Sequence, residues 1–253
     1  MSKTLTTVPI YGIPFSKMNM DETVSYLTKA IEERRQTHVI TANPIMIMSA
    51  VDDPGYRKMI KRADLIVPDG AGVVWAAKYV GNPVAERVTG FDLMHRLLQQ
   101  GESRRWKAYL LGTSQEVIEA AAEKLQLQYP QVRIVGYRNG FFGPDQDEEV
   151  VEEIRKAAPD LLFVARGADT QEPWIVKFKQ QLGVPLIMGV GGSFDVVSGK
   201  LKRAPIIFQK LRLEWLYRLL QEPKRYKRML VLPKFVVKVL RDKENVTKPR
   251  PTP

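Results

Sequence analysis

The chain has 253 residues, of which 44% are hydrophobic and 26% charged, a composition typical of a globular protein rather than a disordered or fibrous one. It contains no cysteine, which excludes disulfides, thiolate nucleophiles and cysteine-bound metals. The formal net charge of +11 is concentrated in residues 200–250, where 16 Lys and Arg stand against four Asp and Glu. Because the rest of the chain is nearly neutral, this basic segment points to a polyanionic partner, either nucleic acid or anionic lipid.

The first residues of the chain do not resemble an export signal. Residues 1–14 carry a single lysine, Lys3, and no long apolar run, so we expect no signal peptide. No stretch approaches the ~20 apolar residues that a membrane-spanning helix needs. We therefore expect a cytoplasmic protein that reaches a membrane only by attaching to its surface.

Short aliphatic runs alternate with amphipathic segments along the first 200 residues. The predicted strands lie at residues 38–41, 65–67, 108–111, 133–136, 161–164 and 186–190. Apolar side chains recur at helical spacing in residues 20–34, 91–100, 115–128, 148–158 and 171–182. This alternation predicts an α/β fold with a Rossmann-like, mainly parallel sheet and helices on its faces.

The last fifth of the chain has a different pattern. Residues 206–220 are rich in Leu, Trp and Tyr, Pro223 interrupts the pattern, and residues 226–240 mix Lys and Arg with Val, Leu and Phe. We predict a basic appendage of two or three amphipathic helices over residues 201–242, attached to a core at residues 1–200. Residues 243–253 are polar and proline-rich, and we expect them to be disordered.

Two predicted strands end in polar residues, and ligands of open α/β sheets collect at such strand ends. Asp69 follows the second strand and precedes Gly70, so it is either a general base for a hydroxyl group or the N-cap of the next helix. Thr41 and Asn43 follow the first strand and could hold a phosphate or a sugar hydroxyl. Asn43-Pro44 is equally typical of a plain helix start.

Two glycine turns follow later strands. Gly112 and Thr113 come directly after the third strand, and Gly191 follows the sixth. The later turn does not have the spacing of a dinucleotide fingerprint, which argues against a Rossmann dehydrogenase. It could still cradle a diphosphate, with Asp195 reaching a ribose or sugar hydroxyl.

The sequence gives little support for a bound metal. Asp145-Gln146-Asp147 matches the D-x-D pattern of many metal-dependent nucleotide-sugar enzymes, but it opens a predicted helix, where acidic residues are ordinary partners of the helix dipole. His38 and His95 are far apart, and we interpret both as structural. We expect no metal, no cofactor and a metal-independent mechanism.

Three arginines recur at helical spacing in the appendage. Arg218, Arg225 and Arg228 form either a solvated basic face or a set of anion ligands. The same segment carries apolar residues such as Trp215 and Leu219 that need a partner. A membrane surface, the core or another subunit would each serve.

A set of segments in one order resembles the WecG/TagA/CpsF glycosyltransferase family. The resemblance extends from about Ile10 to Leu232, nearly the whole chain. The matching segments are residues 37–44, 63–73, 87–93, 140–142, 159–164, 191–200, 202–205, 213–219 and 222–225. Each segment alone is weakly specific, whereas so many in the same order are specific.

One segment departs from the family pattern of Gly-Leu-Gly, two variable residues and Lys-Gln-Glu-Lys-Trp. Residues 165–174 read A-R-G-A-D-T-Q-E-P-W. Gln171, Glu172 and Trp174 are kept, while Thr170 and Pro173 stand where the family has lysines. This departure bears on which sugar donor is used.

The resemblance implies an inverting transfer of N-acetylmannosamine from its UDP form to the 4-hydroxyl of undecaprenyl-diphosphate-linked N-acetylglucosamine, in wall teichoic acid linkage-unit synthesis. On this interpretation Asp69 is the general base, and the appendage docks on anionic lipid at the inner face of the cell membrane. The other residues implied in catalysis or substrate binding are Thr41, Asn43, Arg87, Gly112, Thr113, Gln171, Gly191, Asp195, Arg218, Arg225 and Arg228.

Two alternative functions stay open at this point. A related exopolysaccharide transferase would use another UDP-hexose or UDP-glucuronic acid. A nucleic-acid-binding module would explain the basic segment, but it leaves the polar strand ends unexplained, and the sequence has no helix-turn-helix, RRM or zinc pattern. We expect no nucleic-acid partner, and homo-oligomerisation is a further way to cover the apolar face of the appendage.

Overall fold

A computed structural model of the protein describes residues 5–167 and 169–248. An antiparallel hairpin, β1 (Thr7–Ile10) and β2 (Ile13–Ser16), comes first. The strands that follow are β3 (Thr37–Ala42), β4 (Leu65–Pro68), β5 (Lys107–Gly112), β6 (Arg133–Arg138), β7 (Leu161–Ala165) and β8 (Leu186–Gly189). The helices between them are α1 (Met20–Glu32), α2 (Pro44–Asp52), α3 (Pro54–Ile60), α4 (Ala71–Tyr79), α5 (Gly90–Arg104), α6 (Gln115–Gln128), α7 (Asp147–Ala157) and α8 (Gln171–Leu182).

The six later strands form one parallel sheet in the order β4-β3-β8-β7-β5-β6. The predicted α/β fold with flanking helices is therefore confirmed, and each predicted strand is present. All carboxyl ends of a parallel sheet lie at the same edge, so the residues that follow these strands are brought to one side of the molecule.

Both faces of the sheet are covered, as the continuous apolar strands require. Successive residues of a strand point to opposite faces, so Val39 packs in one hydrophobic cluster and Ile40 in another. Helices α1, α5 and α6 cover the first face. On the second face, α2, α3 and α4 pack with the hairpin, while α7 and α8 cover β5, β7 and β8.

The C-terminal region is more segmented than predicted. It contains α9 (Ser193–Val197), α10 (Ile206–Lys210), α11 (Glu214–Gln221), α12 (Tyr226–Met229) and α13 (Val231–Asp242). Four helices, α10 to α13, stand where two or three were predicted, and residues 206–220 are divided at Arg212, whose φ of 60° is left-handed and ends α10. The last helix, α13, packs on α2 and α4 through Phe235 and Val239, both fully buried.

The end of the described chain departs at Lys243–Val246 from the disorder predicted for residues 243–253. Lys243–Val246 form a 3-10 turn, Val246 is fully buried, and its carbonyl accepts a hydrogen bond of 2.8 Å from the Tyr11 backbone N–H. At Lys243–Val246 the prediction weighed the polar neighbours and overlooked one apolar side chain, Val246. Residues 249–253 lie outside the described part of the chain.

Within residues 5–248, Ala168 apart, no helix has both the length and the apolar composition needed to cross a bilayer.

Candidate active site

A pocket of about 570 Å³ opens at the carboxyl edge of the sheet. The polar strand ends selected from the sequence meet there, since Thr41, Asn43, Asp69, Thr113 and Gly191 all line it. The appendage forms another wall of this pocket with residues of α11 and α12.

Asp69 lies directly after β4 and is half-buried in the pocket. Gly70 rather than Asp69 occupies the N-cap position of α4, so the N-cap interpretation of Asp69 was wrong. Its carboxylate Oδ2 instead accepts a hydrogen bond of 3.2 Å from the backbone N–H of Gly90, the first residue of α5. One carboxylate oxygen is thus held by a helix start, while the side chain faces the pocket.

The surroundings make Asp69 an unusually basic carboxylate. Burial raises its pKa to about 7, because a charged group loses water on transfer into protein. The Gly90 hydrogen bond and Arg87 act in the opposite direction, while the negative charges of Glu214 and Asp92 raise the pKa further. A pKa near neutrality is the value that suits a general base at physiological pH.

Thr41 lies near the end of β3 and Asn43 directly follows this strand, beside Asp69. The Asn43 side chain accepts hydrogen bonds from the Ile45 and Met46 N–H groups, at 3.0 and 3.2 Å, so it is the N-cap of α2 and also lines the pocket. Thr41 lies so close to Gly90 that a methyl group on Gly90 would approach Thr41 Oγ1 to 2.9 Å. The ends of β3 and β4 therefore both pack against Gly90 at the start of α5.

The turn after β5 approaches β7 closely. A side chain at Gly112, whose φ is 135°, would come within 2.1 Å of the Ala165 carbonyl oxygen, so only glycine fits there. This approach lets the Thr113 N–H donate to the Ala165 carbonyl at 2.9 Å. Thr113 Oγ1 lies 3.5 Å from an Asp195 oxygen, so two predicted donor-binding residues are neighbours, whereas Gly112 shapes the backbone and does not line the pocket itself.

Gln171 is fixed by a buried hydrogen-bond chain under the pocket. The Glu172 carboxylate lies 2.8 Å from His38 Nε2 and accepts a 2.7 Å hydrogen bond from Gln171 Nε2. Gln171 Oε1 in turn accepts from the Gly191 N–H at 3.2 Å. A side chain at Gly189 would approach Gln171 Nε2 to 2.2 Å, so this glycine makes room for the chain.

The three predicted appendage arginines all line the pocket. Glu222 holds two of them, because one of its oxygens lies 3.0 Å from Arg218 Nε and 3.3 Å from Arg225 Nη1. Arg218 also lies against the Gly191-Gly192 turn, where a methyl group on Gly192 would meet its guanidinium. Burial and the neighbouring charge of Arg218 lower the pKa of Arg225.

Arg87 does not line the pocket, although it acts on Asp69. Its guanidinium forms an ion pair of 2.5 Å with Glu214 of α11. A second link between core and appendage joins Arg203 to Asp92 at 2.5 Å, with the Arg203 guanidinium 4.6 Å from the centre of the Phe91 ring. The appendage is therefore tied to the core beside the carboxylate.

Sequence reasoning missed several charged residues of the pocket. They are Arg166, Glu172, Lys200, Lys202, Arg203 and Glu214. Most lie in segments that carry the family resemblance, which was the available signal. Arg166 lies in the segment that departs from the family pattern.

The two acids of the D-x-D pattern do not line the pocket. Asp147 begins α7 and is buried, with one oxygen accepting from Trp174 Nε1 at 2.9 Å and the other paired to Lys177 at 3.0 Å. His95 has a structural contact of 2.8 Å with the Tyr129 hydroxyl. Among the described residues, no group of three or more His, Asp and Glu side chains is arranged to hold a metal ion.

A basic carboxylate and several arginines thus share one pocket at the carboxyl edge of a parallel α/β sheet. This arrangement defines a class of α/β protein that binds an anionic ligand and accepts a proton beside it. Comparison with known proteins gives this class a family. The sequence model of the Glycosyl transferase WecG/TagA/CpsF family matches residues 8–249, and the chain belongs to this family.

Individual relatives agree over almost their whole length. The chain is 37% identical to a Bacillus spizizenii protein, with 97% of this chain and 95% of the relative covered. It is 35% identical to a Bacillus subtilis protein (94% and 93% covered) and 36% identical to a Staphylococcus aureus protein (95% of each). Each is named N-acetylglucosaminyldiphosphoundecaprenol N-acetyl-beta-D-mannosaminyltransferase. The resemblance found in the sequence is confirmed, and the protein is a glycosyltransferase.

Proposed function

We propose that this glycosyltransferase moves N-acetylmannosamine from UDP-N-acetylmannosamine to undecaprenyl-diphosphate-linked N-acetylglucosamine, in the synthesis of the wall teichoic acid linkage unit. The names of the three relatives support this acceptor and this sugar. The observation that carries the proposal is the position of Asp69. It is a carboxylate with a pKa of about 7 in a pocket that also contains arginines suited to a diphosphate.

In the proposed reaction Asp69 accepts the proton of the acceptor hydroxyl. The hydroxyl oxygen forms a bond to the anomeric carbon as the bond from that carbon to the UDP oxygen breaks. Attack opposite the leaving group inverts the anomeric configuration. Thr41 and Asn43, next to Asp69 in the pocket, would orient the sugars for this attack.

The leaving UDP carries the negative charge that develops in this step. Arg218, Arg225 and Arg228 line the pocket, and a guanidinium binds phosphate oxygens through a planar pair of donors. We propose that these arginines, rather than a metal ion, neutralise the leaving group. Thr113, Gln171, Gly191 and Asp195 would hold the nucleotide half at the ends of the central strands.

We further propose that the enzyme works at the inner face of the cell membrane, where its lipid-linked acceptor resides. The appendage presents large apolar side chains to solvent among its lysines and arginines. These side chains are Ile206, Ile207, Leu211, Trp215, Leu220, Tyr226 and Leu230. Insertion of such a surface into anionic lipid would fix the position of the arginine-bearing helices over the pocket.

The test is UDP release from UDP-N-acetylmannosamine with a short-chain diphosphate-linked N-acetylglucosamine acceptor, for wild type and Asp69→Asn, in the presence of EDTA. We expect acceptor-dependent release that survives EDTA. Release should fall about 10²–10⁴-fold in the variant, because it lacks a general base. Loss of wild-type activity in EDTA would contradict the arginine mechanism, and an active variant would contradict the role of Asp69.

A panel of UDP-sugars tests the donor itself. The departure at Thr170 and Pro173 favours including UDP-glucose and UDP-glucuronic acid as the second candidate donors. Ligand binding raises the melting temperature in proportion to the logarithm of concentration over Kd. Stabilisation by one of these sugars, but not by UDP-N-acetylmannosamine, would move the proposal to an exopolysaccharide transferase.

A further inference from the structure

Arg166 is a cation of the pocket that belongs to the core rather than to the appendage. It follows β7 directly, is half-buried and lines the pocket. The roles proposed for the other residues of the pocket do not account for this charge.

The guanidinium of Arg166 is held in place from behind. Its Nη2 donates a 3.0 Å hydrogen bond to the Phe142 carbonyl, and its central carbon lies 4.0 Å from the centre of the Phe142 ring. The Phe142 ring packs edge-on against Trp174, at 6.1 Å between ring centres. Trp174 is anchored in turn by its hydrogen bond to Asp147. This support keeps the cation in one position without neutralising it.

Four other cations of the pocket have carboxylate partners. Lys200 pairs with Asp195 at 3.4 Å, Arg203 with Asp92, and Arg218 and Arg225 share Glu222.

Arg166 has no carboxylate within ion-pair distance among the residues the structure describes. The acid that acts on it electrostatically is Asp147, whose two oxygens are already engaged by Trp174 and Lys177. A half-buried charge without a counter-ion is unfavourable. An anionic group of a ligand would supply the missing partner, and the guanidinium geometry suits a phosphate.

The order of the strands indicates which phosphate of the donor would lie at Arg166. Asp69 follows β4, Thr41 ends β3, the Gly191 turn follows β8, and Arg166 follows β7. Neighbouring strands lie about 4.8 Å apart, so Arg166 is roughly 14 Å along the sheet edge from the strand that carries Asp69. A donor whose sugar reacts beside Asp69 places its diphosphate and then its nucleoside further along this edge.

We propose that Arg166 binds the donor phosphate that lies nearer the nucleoside. The inference rests on the proposed UDP-sugar donor and adds a core residue to its binding site. Arg166 would thus hold the donor independently of the appendage, whose arginines would act on the outer phosphate.

The experiment compares UDP, UMP and uridine as ligands by isothermal titration calorimetry. The proteins are full-length wild type, Arg166→Gln, Arg166→Lys and the control Arg133→Gln, in which an exposed arginine at the start of β6 is changed. We expect Arg166→Gln to weaken UDP and UMP about ten- to a hundredfold, the effect of one charge-assisted hydrogen-bonded contact. Uridine affinity should not change, and the control should match wild type.

Arg166→Lys keeps the charge but loses the planar fork, so we expect a smaller loss of UDP and UMP affinity. If a lowered melting temperature shows that Arg166→Gln is misfolded, the affinities of Arg166→Lys for UDP, UMP and uridine test the proposal instead. The proposal is overturned by unchanged UDP affinity, by an equal loss for uridine, or by a loss for UDP that spares UMP. If wild type itself fails to bind UDP, the proposed function is wrong, and this outcome is separate from a failure of Arg166 alone.

Discussion

At the scale of a single residue, the environment of Asp69 favours its role as a base but lowers the stability of the fold. A base near pH 7 needs a raised pKa, and burial provides it. The same burial disfavours the charged form in the folded state, whereas in the unfolded chain the carboxylate ionises freely. The ionised Asp69 therefore destabilises the fold.

The sign of this effect follows from the direction of the pKa shift. The pKa of Asp69 rises from its ordinary 3.8 to about 7 on folding. At this residue the folded protein thus binds more protons than the unfolded chain between these values, and the contribution of Asp69 to wild-type stability falls as the pH rises from about 4 to 7. We expect Asp69→Asn to match wild type near pH 4 and to be more stable above pH 7, on the order of 2–4 kcal/mol.

Urea unfolding at a series of pH values measures this difference. Asp52→Asn is the matched control, because Asp52 is an exposed acid at the end of α2. It should show no growing difference from wild type between pH 4 and 7. An Asp69→Asn variant less stable than wild type at every pH would contradict the account of its environment.

The sequence predicts the position of Asp69 but not its pKa. Its place after β4 follows from a short apolar run and the rule that ligands collect at carboxyl ends of strands. Its pKa does not follow, because Arg87, Asp92 and Glu214 come from separate segments that only the fold brings together. Glu222 differs in this respect, because it stands four residues after Arg218 and three before Arg225, spacings at which helical side chains meet.

At the scale of elements, the appendage places the arginines and the lysines of residues 224–228 in different surroundings. Arg225 and Arg228 are half-buried and line the pocket, while Lys224 and Lys227 are exposed. Helical geometry turns alternate parts of the stretch to opposite sides. The arginines are therefore placed for catalysis and the lysines for contact with an external anionic surface.

We expect Arg225→Gln to lower kcat/KM about 10²–10³-fold on a water-soluble acceptor, the loss typical of one transition-state donor. Lys224→Gln removes the same charge one residue away and should leave this rate nearly unchanged. Steady-state UDP release measures both variants. Equal losses in the two would show that only the overall positive charge matters, against a specific role for Arg225.

The elements that the sequence missed are short or irregular. The β1-β2 hairpin has strands of four residues, includes Pro9 and Pro14, and turns through Tyr11 and Gly12, both with positive φ. Such a turn lacks the usual Asn-Gly or Asp-Gly signal. The long strands and helices of the core were predictable because their apolar periodicity extends over several turns or residues.

At the scale of the whole molecule, apolar exposure and positive charge coincide on the appendage. Ile206, Ile207 and Leu211 are 68%, 63% and 63% exposed, in the segment that carries nearly all of the net positive charge. The core has few such side chains, although Leu127 on α6 is 82% exposed. A membrane surface would remove the apolar groups from water and attract the cations together.

The combined variant Ile206→Ser, Ile207→Ser, Leu211→Ser tests whether this surface reaches lipid. Each large apolar side chain contributes about 1.5–3 kcal/mol when it leaves water, so we expect the variant to lose most binding to vesicles with anionic lipid in co-sedimentation. Leu127→Ser, which changes a more exposed leucine on the core, should bind as wild type does. If the triple variant binds the vesicles as well as wild type does, the positive charge alone accounts for membrane contact. A wild-type dimer that dissociates in this variant, without any vesicle binding, would assign the surface to a second copy of the chain.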